Sequence, residues 1–340
     1  MTKPPNYKDV EDIQTRISRQ LARLWSWIFL AALIAIFEIW ARVSDGSSFA
    51  FNAYNIQSIL IFAASPLLLG LGQTLVIIAG GIDLSVGFVM GFASIVMAQV
   101  MRHLGVDLPV GFALGAGIVI ALVASSIPGF INGFLIARLG VPAFIGTLGM
   151  YGVARGAGYI LADGATVSVQ DDWLEAFGSG KIVGVPIAVW ITLLVVLLLH
   201  YVLSQTRFGQ YTYAIGANRE AAKRAGINVT RHTVSLYVIS AMCAGLAGVL
   251  YTARFSAGAP QAGEPLLLDA IAAVVIGGAS LFGGSGTVIG TVIGALIIAV
   301  IQFGLVFVDV KPFWQFGAVG IVIIISVLVD QQKRKFGGRA

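Results

Sequence analysis

The segment Ala79-Gly80-Gly81-Ile82-Asp83-Leu84-Ser85-Val86-Gly87 places a carboxylate and a hydroxyl inside a long apolar stretch. Adjacent glycines weaken a helix and admit dihedrals closed to other residues. Asp83 then stands where it can cap the following helix, its side chain accepting from free backbone N–H groups. In a bilayer, irregular backbone survives only where it is buried in protein or lines a watery cavity. A carboxylate at that depth is either such a cap or a working group. For Asp83 the sequence leaves both open, and Ser85 shares its segment.

Other polar residues sit close by in the apolar pattern. Ile127-Pro128-Gly129-Phe130-Ile131-Asn132-Gly133 puts a proline and an amide inside one run. Proline removes a helical hydrogen bond and frees a carbonyl, and Asn132 adds a neutral donor and acceptor. Gln73, Thr74, Phe144 and Thr147 are candidates to line the same space. Amides, hydroxyls and an aromatic face suit an uncharged solute rich in hydroxyls. Hydrogen bonding between helices is the alternative for each of them. Glu38, Arg155 and His200 are further polar residues in or near apolar runs, explained by pairing or snorkelling.

A second break, Ile276-Gly277-Gly278-Ala279-Ser280-Leu281-Phe282-Gly283-Gly284-Ser285-Gly286, repeats the first in outline. In each, a Gly-Gly pair is followed three residues later by leucine, a hint of duplicated architecture. Asp269 precedes this break and reads as a helix-end residue. The most polar connection spans 205–232. There Asn218 is placed to cap a short helix through about Ala225, and Gly226 to end it. Ala221 and Ala222 give that helix a flat face, while its basic residues can meet an acidic partner or lipid headgroups. A solvated connector is the plainer reading, but so compact a start and stop favours a docking helix.

Several chemistries are excluded. Cys243 is the one cysteine and lies in an apolar run, so no internal disulfide or cysteine metal site forms. His103, His200 and His232 make no ligand cluster. No Gly-x-x-x-x-Gly-Lys-[Ser/Thr] phosphate loop is present, and no paired carboxylates or nucleophile constellation points to an enzyme.

The elements that must carry these residues follow from composition. Of 340 residues, 58% are hydrophobic and 11% charged. A soluble domain carries about 45–50% and about 25% respectively, so this is an integral membrane protein. A spanning helix needs about 20 apolar residues, and ten would use roughly 200. The apolar runs predict spans at about 24–42, 56–79, 84–101, 109–137, 142–161, 186–204, 233–253, 266–281, 286–308 and 312–330. The eighth is short enough to be re-entrant. The fold class is thus an all-α polytopic bundle of about ten helices with broken or re-entrant segments. Residues 1–23 form an N-terminal segment, 24–330 the membrane domain and 331–340 a tail. The stretch from Val10 to Trp27 has helical apolar spacing, fitting either a helix along the membrane surface or an extension of the first span.

Alternating the spans with the N-terminus inside puts fifteen of the 21 Lys and Arg on inner segments and five on outer ones, with Arg155 inside the fifth span. That is the positive-inside bias, with both termini cytoplasmic. It also accounts for the net charge of +5 without nucleic acid. The longest outer loop, about 162–185, is acidic.

Gly80-Gly81-Ile82-Asp83-Leu84-Ser85-Val86-Gly87 resembles the motif of membrane permeases in bacterial ABC sugar importers of the ribose, xylose, arabinose and galactoside type. Glu220-Ala221-Ala222-Lys223-Arg224-Ala225-Gly226 is similar to the EAA-then-glycine loop of import permeases generally, without that loop's later Ile-x-Leu-Pro portion. Gly216-Ala217-Asn218 suits the ribose-type group, and Leu268-Asp269-Ala270-Ile271-Ala272-Ala273-Val274-Val275-Ile276-Gly277-Gly278 resembles its late motif. The resemblance runs from about residue 55 to 330. It implies a monosaccharide or polyol permease of the bacterial inner membrane in which two permease copies, as a homodimer, form the solute path. It implies a cytoplasmic ATP-binding subunit that holds ATP and Mg, no cofactor in this chain, and a periplasmic sugar-binding protein. It further implies that Gly216, Asn218, Glu220, Ala221, Ala222 and Gly226 belong to a coupling helix. An ion-coupled secondary transporter or channel is the alternative that would also explain broken spans.

Overall fold

A computed structural model describes residues 13–44, 46–104, 110–311, 313–315, 317–321 and 324, with side chains from residue 25 on except at 110. Residues 1–12 of the N-terminal segment, most of the expected tenth span and the tail 331–340 lie outside the described residues.

Long apolar stretches become helices because a bilayer leaves backbone groups no partner but their own turn. In chain order these are α1 (Ile13–Ser44), α2 (Ala53–Ile78), α3 (Val86–Leu104), α4 (Val110–Ala137), α5 (Ala143–Leu161), α6 (Asp172–Ser179), α7 (Ile187–Gln205), α8 (Arg207–Ala217), α9 (Arg219–Arg224), α10 (Val229–Phe255), α11 (Glu264–Ile276) and α12 (Val288–Phe307). Four two-residue strands make two small antiparallel pairs: β1 (Val167–Ser168) with β4 (Ala257–Gly258), and β2 (Lys181–Ile182) with β3 (Val185–Pro186).

Among the described residues, seven helices are long and apolar enough to cross a membrane: α1 from Trp25, α2, α3, α4 from Gly111, α7, α10 and α12. α5 has 19 residues, its apolar run diluted by five glycines and Arg155. α11 has 13 residues, about 20 Å at 1.5 Å per residue, well short of a hydrocarbon core of about 30 Å. The expected eighth span is therefore a half-length helix that stops at the second glycine break. α1 begins at Ile13 and runs unbroken into the first span, so its start extends that span and is not a separate surface helix.

α10 is the axis of the bundle and packs on α2, α3 and α4. Small residues allow the closest approach: a Cβ at Gly129 would lie 2.5 Å from the Tyr237 carbonyl oxygen, and one at Gly133 would lie 2.6 Å from Val234 Cα. Lipid gives helices no hydrophobic drive to associate, so backbone proximity and interhelical hydrogen bonds supply the attraction. α4 stays helical through Pro128.

Connections expected on the same side of the membrane gather at the same end of the bundle. At the end where α2 finishes, Gly284 N–H donates to the Ile78 carbonyl (2.8 Å) and Tyr213 Oη donates to the Gly286 carbonyl (2.7 Å). At the end where α2 starts, Lys181 Nζ donates to Gln57 Oε1 (2.7 Å), and β1 pairs with β4. The short helix α6 in the 162–185 connection is not marked by apolar spacing. It is set by Asp171, whose carboxylate accepts from Leu174 N–H at 2.9 Å.

Candidate functional site

Asp83 lies between the end of α2 and the start of α3 and is fully buried. Its Oδ1 accepts from the Ser85 N–H (3.0 Å) and from Ser85 Oγ (2.6 Å). Its Oδ2 accepts from Ser240 Oγ of α10 (3.2 Å). Asn132 Nδ2 of α4 donates to Ser85 Oγ (2.9 Å). Gln73 of α2 clamps the Asp83 backbone, its Nε2 donating to the Asp83 carbonyl and its Oε1 accepting from Asp83 N–H at 3.3 Å. Through its carboxylate, its backbone and its neighbour Ser85, Asp83 thus ties α2, α3, α4 and α10 together where the chain changes direction. Asn132 Oδ1 is buried and has no hydrogen-bond donor among the described residues.

Both glycine breaks end their helices in the same way. Gly80 N–H donates to Ile77 O and Gly81 N–H to Val76 O; Gly278 N–H donates to Val275 O and Ala279 N–H to Val274 O. This is a Schellman ending with the left-handed residue at Gly80 (φ 82°) and Gly278 (φ 88°). The equivalence is shifted by one residue from the one the leucine spacing suggests, since Gly80 matches Gly278, the second glycine of its pair.

α8 is seated on both breaks. A Cβ on Gly216 would collide with the Ile78 carbonyl oxygen, and one on Gly283 would lie 2.9 Å from the Gly216 carbonyl and 3.0 Å from Gly80 Cα. Tyr213 fixes the seat through Gly286, and burial raises the pKa of its hydroxyl, keeping it a proton donor. Beyond α8, Asn218 Oδ1 accepts from Ala221 N–H at 2.9 Å and starts α9. Gly226 (φ 85°) ends it as Gly226 N–H donates to Lys223 O. Ala222 is buried against Ile215 and Val229. Glu220, Ala221 and Lys223 are exposed, a free outer face on a helix fixed at both ends. Gly226→Val forces a β-branched residue into left-handed backbone, at a cost of about 1–3 kcal/mol. The variant is expected to insert normally yet lose most coupling of this helix to whatever docks there, checked by membrane fractionation beside a transport assay.

Below α9 lies a cavity of about 500 Å³ walled by the α2–α3 break, the turn 138–142, Arg219, Thr233 and Tyr237. Arg138 and Arg219 are its charged wall residues.

The structure gathers Gln73, Asp83, Ser85 and Asn132 into one network at the α2–α3 break. Thr147 adjoins them, its Oγ1 donating to Ala143 O (2.8 Å) and reaching Ile82 O (3.3 Å). Thr74 faces the other way, donating to Gly70 O (2.7 Å) beside Thr291 of α12. Phe144 stands on the outer face of α5 and is 56% exposed. Sequence reasoning passed over Ser240, Thr233 and Tyr237, hydroxyls with no turn residue beside them to set them apart. Asp269 is not at a helix end; it lies within α11 and accepts from Gln302 Nε2 at 2.8 Å. Glu38 accepts from Arg42 Nε (2.6 Å) and from the Phe49 and Ala50 N–H groups (2.8 Å each). Arg155 lies over the rings of Phe88 and Tyr159.

Residues 55–328 match the family model described as branched-chain amino acid transport system / permease component. The chain is 38% identical to the ribose import permease protein of Escherichia coli K12 over 89% of this chain and 94% of that one. It is 38% identical to the fructose import permease protein of Rhizobium meliloti over 84% of this chain and 80% of the relative. The D-allose transport system permease protein of Escherichia coli K12 is 36% identical, over 90% of each chain.

Proposed function

Since the chain belongs to the branched-chain amino acid transport system / permease component family, we propose that it is the membrane-spanning subunit of an ATP-driven importer that carries a monosaccharide or sugar-like polyol into the cytoplasm. It is a multi-pass protein of the bacterial inner membrane. The observation that carries the substrate class is the likeness to permeases named for ribose, fructose and allose over most of their lengths.

Both termini lie in the cytoplasm, which puts α8, α9 and the glycine breaks on the inner side. A cytoplasmic subunit binds ATP and Mg and hydrolyses the nucleotide, and this chain contributes the handle. Exposed Glu220 and Ala221 on α9 meet that subunit, and α8 passes the push to the ends of α2 and α11. A periplasmic binding protein delivers the sugar to the opposite end. A second copy covers the exposed face of α5 that bears Phe144, Gly149 and Gly152, and the path runs between the copies, with Thr147 and Asn132 buried behind its wall. Two arrangements that differ in contact with the nucleotide-binding partner are what coupling requires.

Reconstitution of the permease with its ATP-binding subunit and binding protein in vesicles tests this. Sugar uptake should need ATP and ignore ion gradients. Uptake that survives ATP depletion and follows an ion gradient identifies a secondary transporter instead. Asn132→Leu should cut the uptake rate about tenfold, beyond the loss of about 1 kcal/mol of stability that follows from removing the Nδ2 donor to Ser85 Oγ. A normal rate assigns Asn132 to packing.

A further inference from the structure

Arg155 and Glu264 are charged side chains at membrane depth with no place in the Asp83 network. α5 reaches from the first glycine break, where Thr147 Oγ1 lies 3.3 Å from Ile82 O, toward the far end of α3, where Gln99 Nε2 donates to Leu161 O at 2.6 Å. Tyr151 therefore stands about 12 Å and Arg155 about 18 Å up α5 from Ala143, inside a hydrocarbon core of about 30 Å. An extended segment folded back into the bundle brings Glu264 to the same level. Ser94 Oγ of α3 accepts from Ala259 N–H at 3.1 Å. A Cβ on Gly91 would collide with the Pro260 carbonyl, and one on Gly263 with that of Gly87. The segment thus lies on α3 backbone to backbone, and Glu264 opens α11 within the bundle.

One aromatic plate links the two charges. The Tyr151 ring meets the buried Phe88 ring edge-on, centroids 4.5 Å apart. Arg155 Cζ lies 5.3 Å from the centre of that same Phe88 ring and 5.9 Å from the centre of Tyr159. Tyr151 Oη is 3.5 Å from Glu264 Oε1. Arg155 and Glu264 are both exposed, and neither forms an ion pair with a described residue. The rings hold the guanidinium and the start of α11 favours a carboxylate, so the two stay apart. Charges at this depth face a watery cavity or another protein group, not lipid. The faces of α5 decide between those two. Gly149, Gly152 and Gly156 have open space where a Cβ would stand, and they form a stripe about 100° round the helix from Arg155. Small residues of that kind admit the close approach of another helix, which leaves the Arg155 side to the gap beside the contact.

We propose that Glu264, Tyr151 and Arg155 line the solute path between the copies and bind the hydroxyls of the passing sugar. The site rests on the importer function and gives it a contact point for substrate. A sugar hydroxyl both donates and accepts. Glu264 accepts from it, Arg155 donates to its oxygen, and the Tyr151 hydroxyl does either. Paired with one another, the two charges would offer a solute little. Held apart, they replace part of the water that a sugar sheds on entering the bundle. At 3.5 Å the Tyr151–Glu264 contact is long for a hydrogen bond between oxygens, so a hydroxyl of the solute can displace it.

The test uses the permease reconstituted in vesicles with its ATP-binding subunit and binding protein, with ribose, fructose and allose as probes. A failure of the importer function shows in the wild type, which would then move none of the three on ATP; a failure of this site shows only in the variants. Glu264→Gln keeps the contact with Tyr151 and should keep the thermal unfolding midpoint, yet cut the maximal uptake rate about tenfold, the worth of one hydrogen bond to a charged group. Arg155→Gln should lower uptake likewise. Native Cys243 is buried, so a charged, water-soluble thiosulfonate should label Glu264→Cys rapidly and leave the parent unlabelled. Normal uptake by Glu264→Gln, uptake that falls only as the midpoint falls, or a Glu264→Cys thiol closed to the reagent overturns the proposal. Recovery of uptake in Arg155→Glu combined with Glu264→Arg overturns it too, since the two charges would then be pairing across copies.

Discussion

The variant Gly216→Val is expected to lose ATP-driven uptake almost entirely while remaining in the membrane. A Cβ at this position collides with a backbone atom, the carbonyl oxygen of Ile78, and not with the movable end of a side chain. Ile78 O is already held by Gly284 N–H at 2.8 Å, so neither partner can step aside. α8 must lift off its seat, and overpacking of this kind costs about 1–3 kcal/mol. Since 1.4 kcal/mol is about a factor of ten in an equilibrium, the seated arrangement falls by a factor of about 5 to 140. ATP hydrolysis by the partner subunit should continue while sugar accumulation in vesicles stops. Gly216→Ala should show the same defect, less the clashes of valine's two methyls. Full uptake by Gly216→Val would mean that the push does not travel through α8.

Asp83→Ala should produce the largest loss of stability in the chain, of order 3 kcal/mol. The Ser85 N–H and the Ser240 hydroxyl lose their acceptor inside the bundle, and each unsatisfied group costs about 1–3 kcal/mol. Thermal unfolding in detergent gives the measurement. Asp83→Asn keeps an oxygen toward Ser85 and offers an amide to Ser240 Oγ, so it should unfold within about 1 kcal/mol of the parent. The pair separates the two readings left open for this residue. If Asp83→Asn is both stable and active, the carboxylate is a joint in the scaffold. If it is stable but inactive, the charge itself acts on the moving solute. An Asp83→Ala protein as stable as the parent would remove Asp83 from the centre of the bundle.

What could be read from the chain alone follows the strength of each local signal. Asn218 and Gly226 bracketed α9 because a cap and a left-handed stop are chemistry of single residues, and both sit as expected. Apolar runs located α2, α7 and α12 to within a few residues for the same reason. α11 misled, since Ile276-Gly277-Gly278 continues an apolar run and hides that the helix stops at Ile276. α6 was missed because eight residues with one buried leucine give periodicity too little to act on. Within the site, Gln73, Asp83, Ser85 and Asn132 stood out as polar residues in apolar surroundings, and they meet. Thr74 stood out equally, yet one helical position turns it toward Thr291, and composition carries no record of which way a helix faces. Ser240 was invisible because a lone serine in a span is ordinary. The collar that Gly216, Gly80 and Gly283 make together depends on residues 200 positions apart, which no local pattern encodes.

That collar has a mechanical consequence. The two ribbons leaving α2 and α11 are knotted to one another and to α8 within a few ångströms, through Gly284 N–H on Ile78 O and Tyr213 Oη on Gly286 O. A load applied there has no slack to take up and reaches the ends of α2 and α11 together. Neither ribbon can slide past the other without breaking these bonds, so they are tied to move as one piece, like a seesaw on a common fulcrum.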